Sequence, residues 1–201
     1  KVRTLYLNSL TSITDEQAES LSKVGSLRLN GLTSITDEQA ESLSKVRIIS
    51  LNGLTSITDA QAETLIKVNS LELNGLTTLT ELQAKLIIKN PTVKLNNLTT
   101  ISDEQAENLS SALELQLNGL TSISDLQAES FRKVKSVLTL NGLTTISDKQ
   151  AESLSFLLSL ELNGMTSITS KQAEMLSQIE TLSLDGLLTI TDDQAEFLGK
   201  I

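Results

Sequence analysis

The chain has no cysteine, no histidine and no tryptophan, a single proline, and only 2% aromatic residues. Each shortage closes off a class of function. Without cysteine there are no disulfides, no thiolate nucleophiles and no thiolate metal ligands. Without histidine the side chain most often used as a general base is missing, along with a principal zinc ligand. No cofactor site is therefore expected. The shortage of rings leaves Leu, Ile, Val and Ala to build the core of a chain that is 39% hydrophobic. No apolar run approaches the roughly 18 residues of a membrane-spanning helix, so membrane insertion is not expected, and no signal peptide is visible. Positive charge is also short, with 16 Lys and Arg against 25 Asp and Glu, a net charge of −9. Nucleic acids and anionic membranes select basic faces, so this balance argues against both as partners.

What the chain does contain is one sentence repeated nine times. The period is clearest at residues 27–48, and the repeats begin at Leu5, Leu27, Ile49, Leu71, Val93, Leu115, Leu138, Leu160 and Leu182. The step is 22 residues throughout except the sixth, where one extra residue near Lys135–Val137 makes it 23. Self-similarity at such a period marks a solenoid. The prediction is a single elongated domain over residues 1–201 with no linker.

Within a repeat, Leu27 and Leu29 lie two apart and face one side of a strand, while Arg28 faces the other. Asn30-Gly31 ends the strand. Gly stands at this place in seven repeats, with Ser9 and Asn97 in the others, which predicts a backbone conformation that Gly or Asn tolerates best. Thr36 and Gln39 then form a Ser/Thr-x-x-Gln capping box, which recurs in every repeat from Thr14/Gln17 to Thr191/Gln194. Asp37 and Glu38 suit the first turn of the helix that follows. Ala40, Leu43 and Val46 keep to one face of a short helix of about three turns. Glu41 and Lys45 are four apart, as are Glu19/Lys23, Glu63/Lys67, Glu129/Lys133 and Glu196/Lys200, a spacing that predicts ion pairs along the helix. Leu27, Leu29, Leu32, Ile35, Ala40, Leu43 and Val46 point inward, and one unit cannot bury them without stacked neighbours.

Val24-x-x-Leu27-x-Leu29-x-x-Leu32 resembles the Leu-x-x-Leu-x-Leu opening of the leucine-rich repeat, and 22 residues falls within that family's repeat lengths. The resemblance covers the whole chain and is nearest to the irregular bacterial members. It implies an α/β fold: a right-handed solenoid with a nine-stranded parallel sheet on the concave side and short helices on the convex side. The family usually has Asn or Cys three residues after the last strand Leu. Here Leu32 stands there and the regular Asn comes two places earlier, so any asparagine ladder is displaced onto Asn8, Asn30, Asn52, Asn74, Asn96, Asn118, Asn141, Asn163 and Asp185. The resemblance further implies a non-enzymatic scaffold that binds a protein or peptide or acts in adhesion, the alternative being a structural spacer. It favours an extracellular or cell-surface setting over a cytoplasmic one.

The candidate partner-binding column is the outward strand position: Tyr6, Arg28, Ser50, Glu72, Lys94, Gln116, Thr139, Glu161 and Ser183. It varies most in a chain where little else does, which fits either a recognition strip or an unconstrained solvated face. The acidic columns are read as caps and pairs, since calcium needs six to eight converging oxygens. Repeat four departs from the pattern. Leu82, Leu86 and Ile88 stand where Glu, Ser and Ser are the commonest residues of the other repeats, with Ile66 one repeat away and Pro91 expected to stop the helix. These residues make either a convex apolar contact patch or a local repacking, and the repacking is favoured. Neither end carries a polar cap, and Lys1-Val2-Arg3-Thr4 matches the tail of a preceding repeat. The chain thus reads as a piece of a longer array, or as one that associates end to end.

Overall fold

A computed structural model describes residues 2–199. It divides into two compact units, residues 1–95 and 96–201, each built from the same alternation of a three-residue strand and a seven-residue helix. In the first unit these are β1 (Thr4–Tyr6), α1 (Asp15–Leu21), β2 (Ser26–Arg28), α2 (Asp37–Leu43), β3 (Ile48–Ser50), α3 (Asp59–Leu65), β4 (Ser70–Glu72), α4 (Glu81–Ile87) and β5 (Thr92–Lys94). In the second they are α5 (Asp103–Leu109), β6 (Glu114–Gln116), α6 (Asp125–Phe131), β7 (Val137–Thr139), α7 (Asp148–Leu154), β8 (Ser159–Glu161), α8 (Ser170–Leu176), β9 (Thr181–Ser183) and α9 (Asp192–Leu198).

Strands pair in parallel and in repeat register. Leu5, Leu27, Ile49 and Leu71 stand side by side across β1 to β4, and Leu115, Leu138, Leu160 and Leu182 across β6 to β9. The 23-residue step leaves this register intact. Its extra residue is taken up before β7, where the Lys135 and Ser136 N–H groups donate to Ala112 and Leu113 carbonyls.

The inward residues behave as their spacing requires. Leu27, Leu29, Leu32, Ala40 and Leu43 are fully buried and Val46 nearly so, whereas Ile35 is only half-buried. Each fully buried Leu contributes about 1.5–3 kcal/mol. The second unit accommodates Phe131, fully buried, where its neighbours place Leu.

Four expectations change. The helices run two turns rather than three, because Ser44 caps α2 and Val46 sits in the following turn, its N–H donating to the Leu43 carbonyl. For the same reason Lys23, Lys45, Lys67 and Lys133 lie beyond their helix ends. Among the described residues, none pairs with the Glu four places earlier. Glu196/Lys200 falls partly outside the described residues. The glycine column does not answer a φ requirement, since no glycine has positive φ. It answers a steric one: a Cβ at Gly53 would lie 2.3 Å from the Asn30 carbonyl oxygen and 2.5 Å from that of Leu32. Ser9 has no preceding repeat among the described residues to meet.

The nine strands also do not form one continuous sheet, because β4 and β5 do not pair. Pro91, just before β5, has no N–H to donate, whereas its counterpart Asn69 donates to the Arg47 carbonyl. The neighbouring Asn90 is buried, and its side-chain oxygen accepts from the Leu71 N–H at 3.1 Å. A ladder donor of β4 is thereby taken by a side chain instead of a strand.

Candidate functional site

Strand alternation places the outward column on the solvent face of each sheet, but not every member reaches solvent. In the first unit Tyr6 is 60% exposed and Arg28 is exposed, with its guanidinium carbon 5.2 Å from the Tyr6 ring centre. Glu72 and Lys94 are half-buried. Ser50 is buried; its hydroxyl lies 2.7 Å from both Asn30 Oδ1 and Glu72 Oε2, and Asn52 Nδ2 donates to it at 3.0 Å. In the second unit Gln116, Glu161 and Ser183 are half-buried, while Thr139 is buried and its hydroxyl has no partner among the described residues. Ser50 and Thr139 are therefore covered rather than presented. Each is short and stands in register between longer side chains, Arg28 and Glu72 for the one, Gln116 and Glu161 for the other.

Beside this column runs the displaced asparagine ladder. Asn30 Oδ1 accepts the Asn52 N–H at 3.0 Å, and Asn52 Oδ1 accepts the Asn74 N–H at 2.9 Å. The second unit repeats the pattern from Asn96 through Asn118, Asn141 and Asn163 to the Asp185 N–H. The ladder is half-buried for most of its length and shares atoms with the column: Asn141 donates to Glu161, and Ser183 donates to Asn163.

On the helix side, all nine helices described carry a closed capping box. The box glutamine also reaches between repeats. Gln39, Gln61 and Gln83 donate to the carbonyls of Ile13, Ile35 and Ile57. Gln127, Gln150, Gln172 and Gln194 do the same in the second unit. This second bond was missed in the sequence, where the strict recurrence of Gln in place of Glu was its only trace. First-turn aspartates receive hydrogen bonds from the next cap, as Thr36 to Asp15 and Thr80 to Asp59. Among the described residues no three carboxylates converge as a metal site requires.

The lysine expected to pair with Glu129 joins Glu107 of the preceding repeat instead, at 2.6 Å, and Glu129 takes Arg132 at 2.7 Å. Those cationic hydrogen bonds hold the Glu107 and Glu129 carboxyls below their usual range. In repeat four Leu82 is 39% exposed, while Leu86, Ile88 and, one repeat earlier, Ile66 are half-buried, with both isoleucines serving as helix C-caps. More exposed apolar groups lie elsewhere. Leu126 is 64% exposed, at the same helix position as Leu82, and Phe156 is 62% exposed with the Arg132 guanidinium carbon 4.1 Å from its ring centre.

No protein-family model matches the chain, and no curated protein does. Solved structures do match. An internalin (inlF) from Listeria monocytogenes is 18% identical with a TM-score of 0.63, over 100% of this chain and 59% of its own. The leucine-rich repeat-containing protein LegL7 from Legionella pneumophila is 14% identical with a TM-score of 0.57, over 98% of this chain and 88% of its own. TLR13, solved in complex with a single-stranded RNA, is 15% identical with a TM-score of 0.69, over 98% of this chain and 31% of its own. The chain thus spans less than two thirds of the internalin and about a third of TLR13. At these identities the likeness concerns the fold, and the fold is that of the leucine-rich repeat.

Proposed function

We propose that the chain is a non-enzymatic scaffold that offers the solvent face of its parallel sheets to a protein or peptide. One contrast carries this reading. Residues that pack, cap or bridge barely change between repeats, whereas the outward strand position changes at almost every step. Seven of its nine members are exposed or half-buried: Tyr6, Arg28, Glu72, Lys94, Gln116, Glu161 and Ser183. The fold supports the reading by analogy. Single-stranded RNA is the partner in the TLR13 complex, but a net charge of −9 favours protein here. An adhesion role is a narrower form of the same proposal.

The test is selection of binders from a random peptide library, followed by measurement against two variants. One replaces Arg28, Glu72, Lys94, Gln116 and Glu161 by Ser; the other replaces five exposed helix glutamates by Ser. Binders should lose affinity for the first variant and keep it for the second. Equal affinity for both would overturn the proposal and favour a structural spacer.

A further inference from the structure

A cationic groove of about 790 Å³ runs along one edge of the first unit, lined by Arg3, Lys23, Lys45 and Arg47 with Val2 and Ile48 among them. No acidic side chain lines it. All four cations are exposed, and among the described residues none has an ion-pair partner. The setting makes this unusual. The first unit holds ten basic and ten acidic residues and the second six and fifteen, so the chain's charge of −9 belongs to the second alone.

Within the first unit six of the ten acids, Asp15, Glu16, Asp37, Glu38, Asp59 and Glu81, stand in first helical turns, with Glu19, Glu41 and Glu63 later in their helices and Glu72 in β4, while Lys23, Lys45 and Lys67 follow the C-caps Ser22, Ser44 and Ile66. The second unit does not continue the stripe. The same place holds Ser111, Lys133, Phe156, Gln178 and Lys200, and Lys133 is tied to Glu107. Part of the positive charge answers the helix dipoles, but each helix end presents only about half an elementary charge. One lysine per helix already exceeds that, and Arg3 and Arg47 add to the surplus.

We infer that this groove binds an acidic peptide segment of another protein. Carboxylates spread along an extended chain match Lys23 and Lys45, one repeat apart, and Arg3 and Arg47, which stand two repeats apart on either side of Gly25. Val2 and Ile48, 56% and 38% exposed, give such a segment apolar contact between its charges. The helix C-termini at this edge repel any anion, and a phosphate dianion with its charge concentrated at one point more than carboxylates spread along a chain. No aromatic ring lines the groove on which a nucleobase could stack. The inference stands on its own geometry, apart from the sheet-face column.

The test uses a short fluorescein-labelled peptide of Glu, Asp and Val, with a Lys-Val peptide and a single-stranded oligo-dT as comparators, followed by anisotropy over a salt series. The acidic peptide should bind, and binding should weaken as salt screens it. Lys45→Glu with Arg47→Glu should reduce affinity about tenfold or more, and the milder Lys45→Gln with Arg47→Gln should act in the same direction if the reversal disturbs folding. Replacing Arg28 and Glu72 by Ser should leave this binding unchanged, which separates its failure from that of the sheet-face proposal. No binding at low salt, equal binding by the charge variants, or tighter binding of oligo-dT would each overturn it.

Discussion

The side chain of Gln39 joins two repeats: its Nε2 donates to the Ile13 carbonyl at 2.9 Å while its Oε1 accepts the Thr36 N–H at 3.1 Å. One amide thus caps its own helix and bonds to the repeat before it. A carboxylate could do the first but not the second. Gln61→Glu, which keeps the cap and orphans the Ile35 carbonyl, should cost about 1–3 kcal/mol. Gln17→Glu, with no preceding repeat among the described residues, should be close to neutral. Urea denaturation of the two variants checks this; equal losses would mean that the inter-repeat bond contributes nothing.

The glycine column gives a second contrast. Gly53→Ala places a methyl against two backbone carbonyl oxygens, which cannot rotate away. The loss should be at least about 1–3 kcal/mol, as for other overpacked sites. Ser9→Ala should change stability by less than about 0.5 kcal/mol. A tolerated Gly53→Ala would show that neighbouring repeats can separate at little cost.

Repeat four can be tested one residue at a time. Leu82 is partly exposed and Leu86 half-buried. Leu82→Glu, which restores a residue common at that place, should stay within about 0.5 kcal/mol. Leu86→Ser should cost more, since it removes buried apolar surface. A loss of several kcal/mol from Leu82→Glu would place that side chain in the core and end the case for a contact patch there.

The Lys133 bond to Glu107 carries a pH dependence. A carboxyl held below its usual range adds stability that is complete above its unfolded pKa and is lost as pH falls through the lower, folded value. Acidification below the ordinary carboxylate range should therefore weaken the second unit, and Lys133→Ala should flatten that part of the profile. The effect is small because both side chains are more than half exposed, at 54% and 55%. Urea midpoints measured across the acid range would show it, and an unaltered profile in Lys133→Ala would assign the dependence to other carboxylates.

Local relationships were legible in the sequence. The capping boxes join residues three apart, and the Leu-x-Leu strands face inward by alternation. Both are set by chain geometry over a few residues, so one repeat suffices to read them. The side of the sheet taken by the outward column follows from the same alternation. What the tertiary structure decided is everything that spans a repeat. The burial of Ser50 and Thr139 depends on the lengths of side chains on the flanking strands, 22 or more residues away. The glycine column is needed because of a carbonyl in the preceding repeat, and Lys133 finds Glu107 because its own helix ends before it can turn back to Glu129. At Pro91 the sequence suggested a helix stop, yet α4 ends at Ile87, as far before its strand as the helices without a proline; only the stack shows that the missing N–H falls where two strands would have paired. Periodicity determines which residues recur; how closely successive turns approach determines what each recurring residue touches.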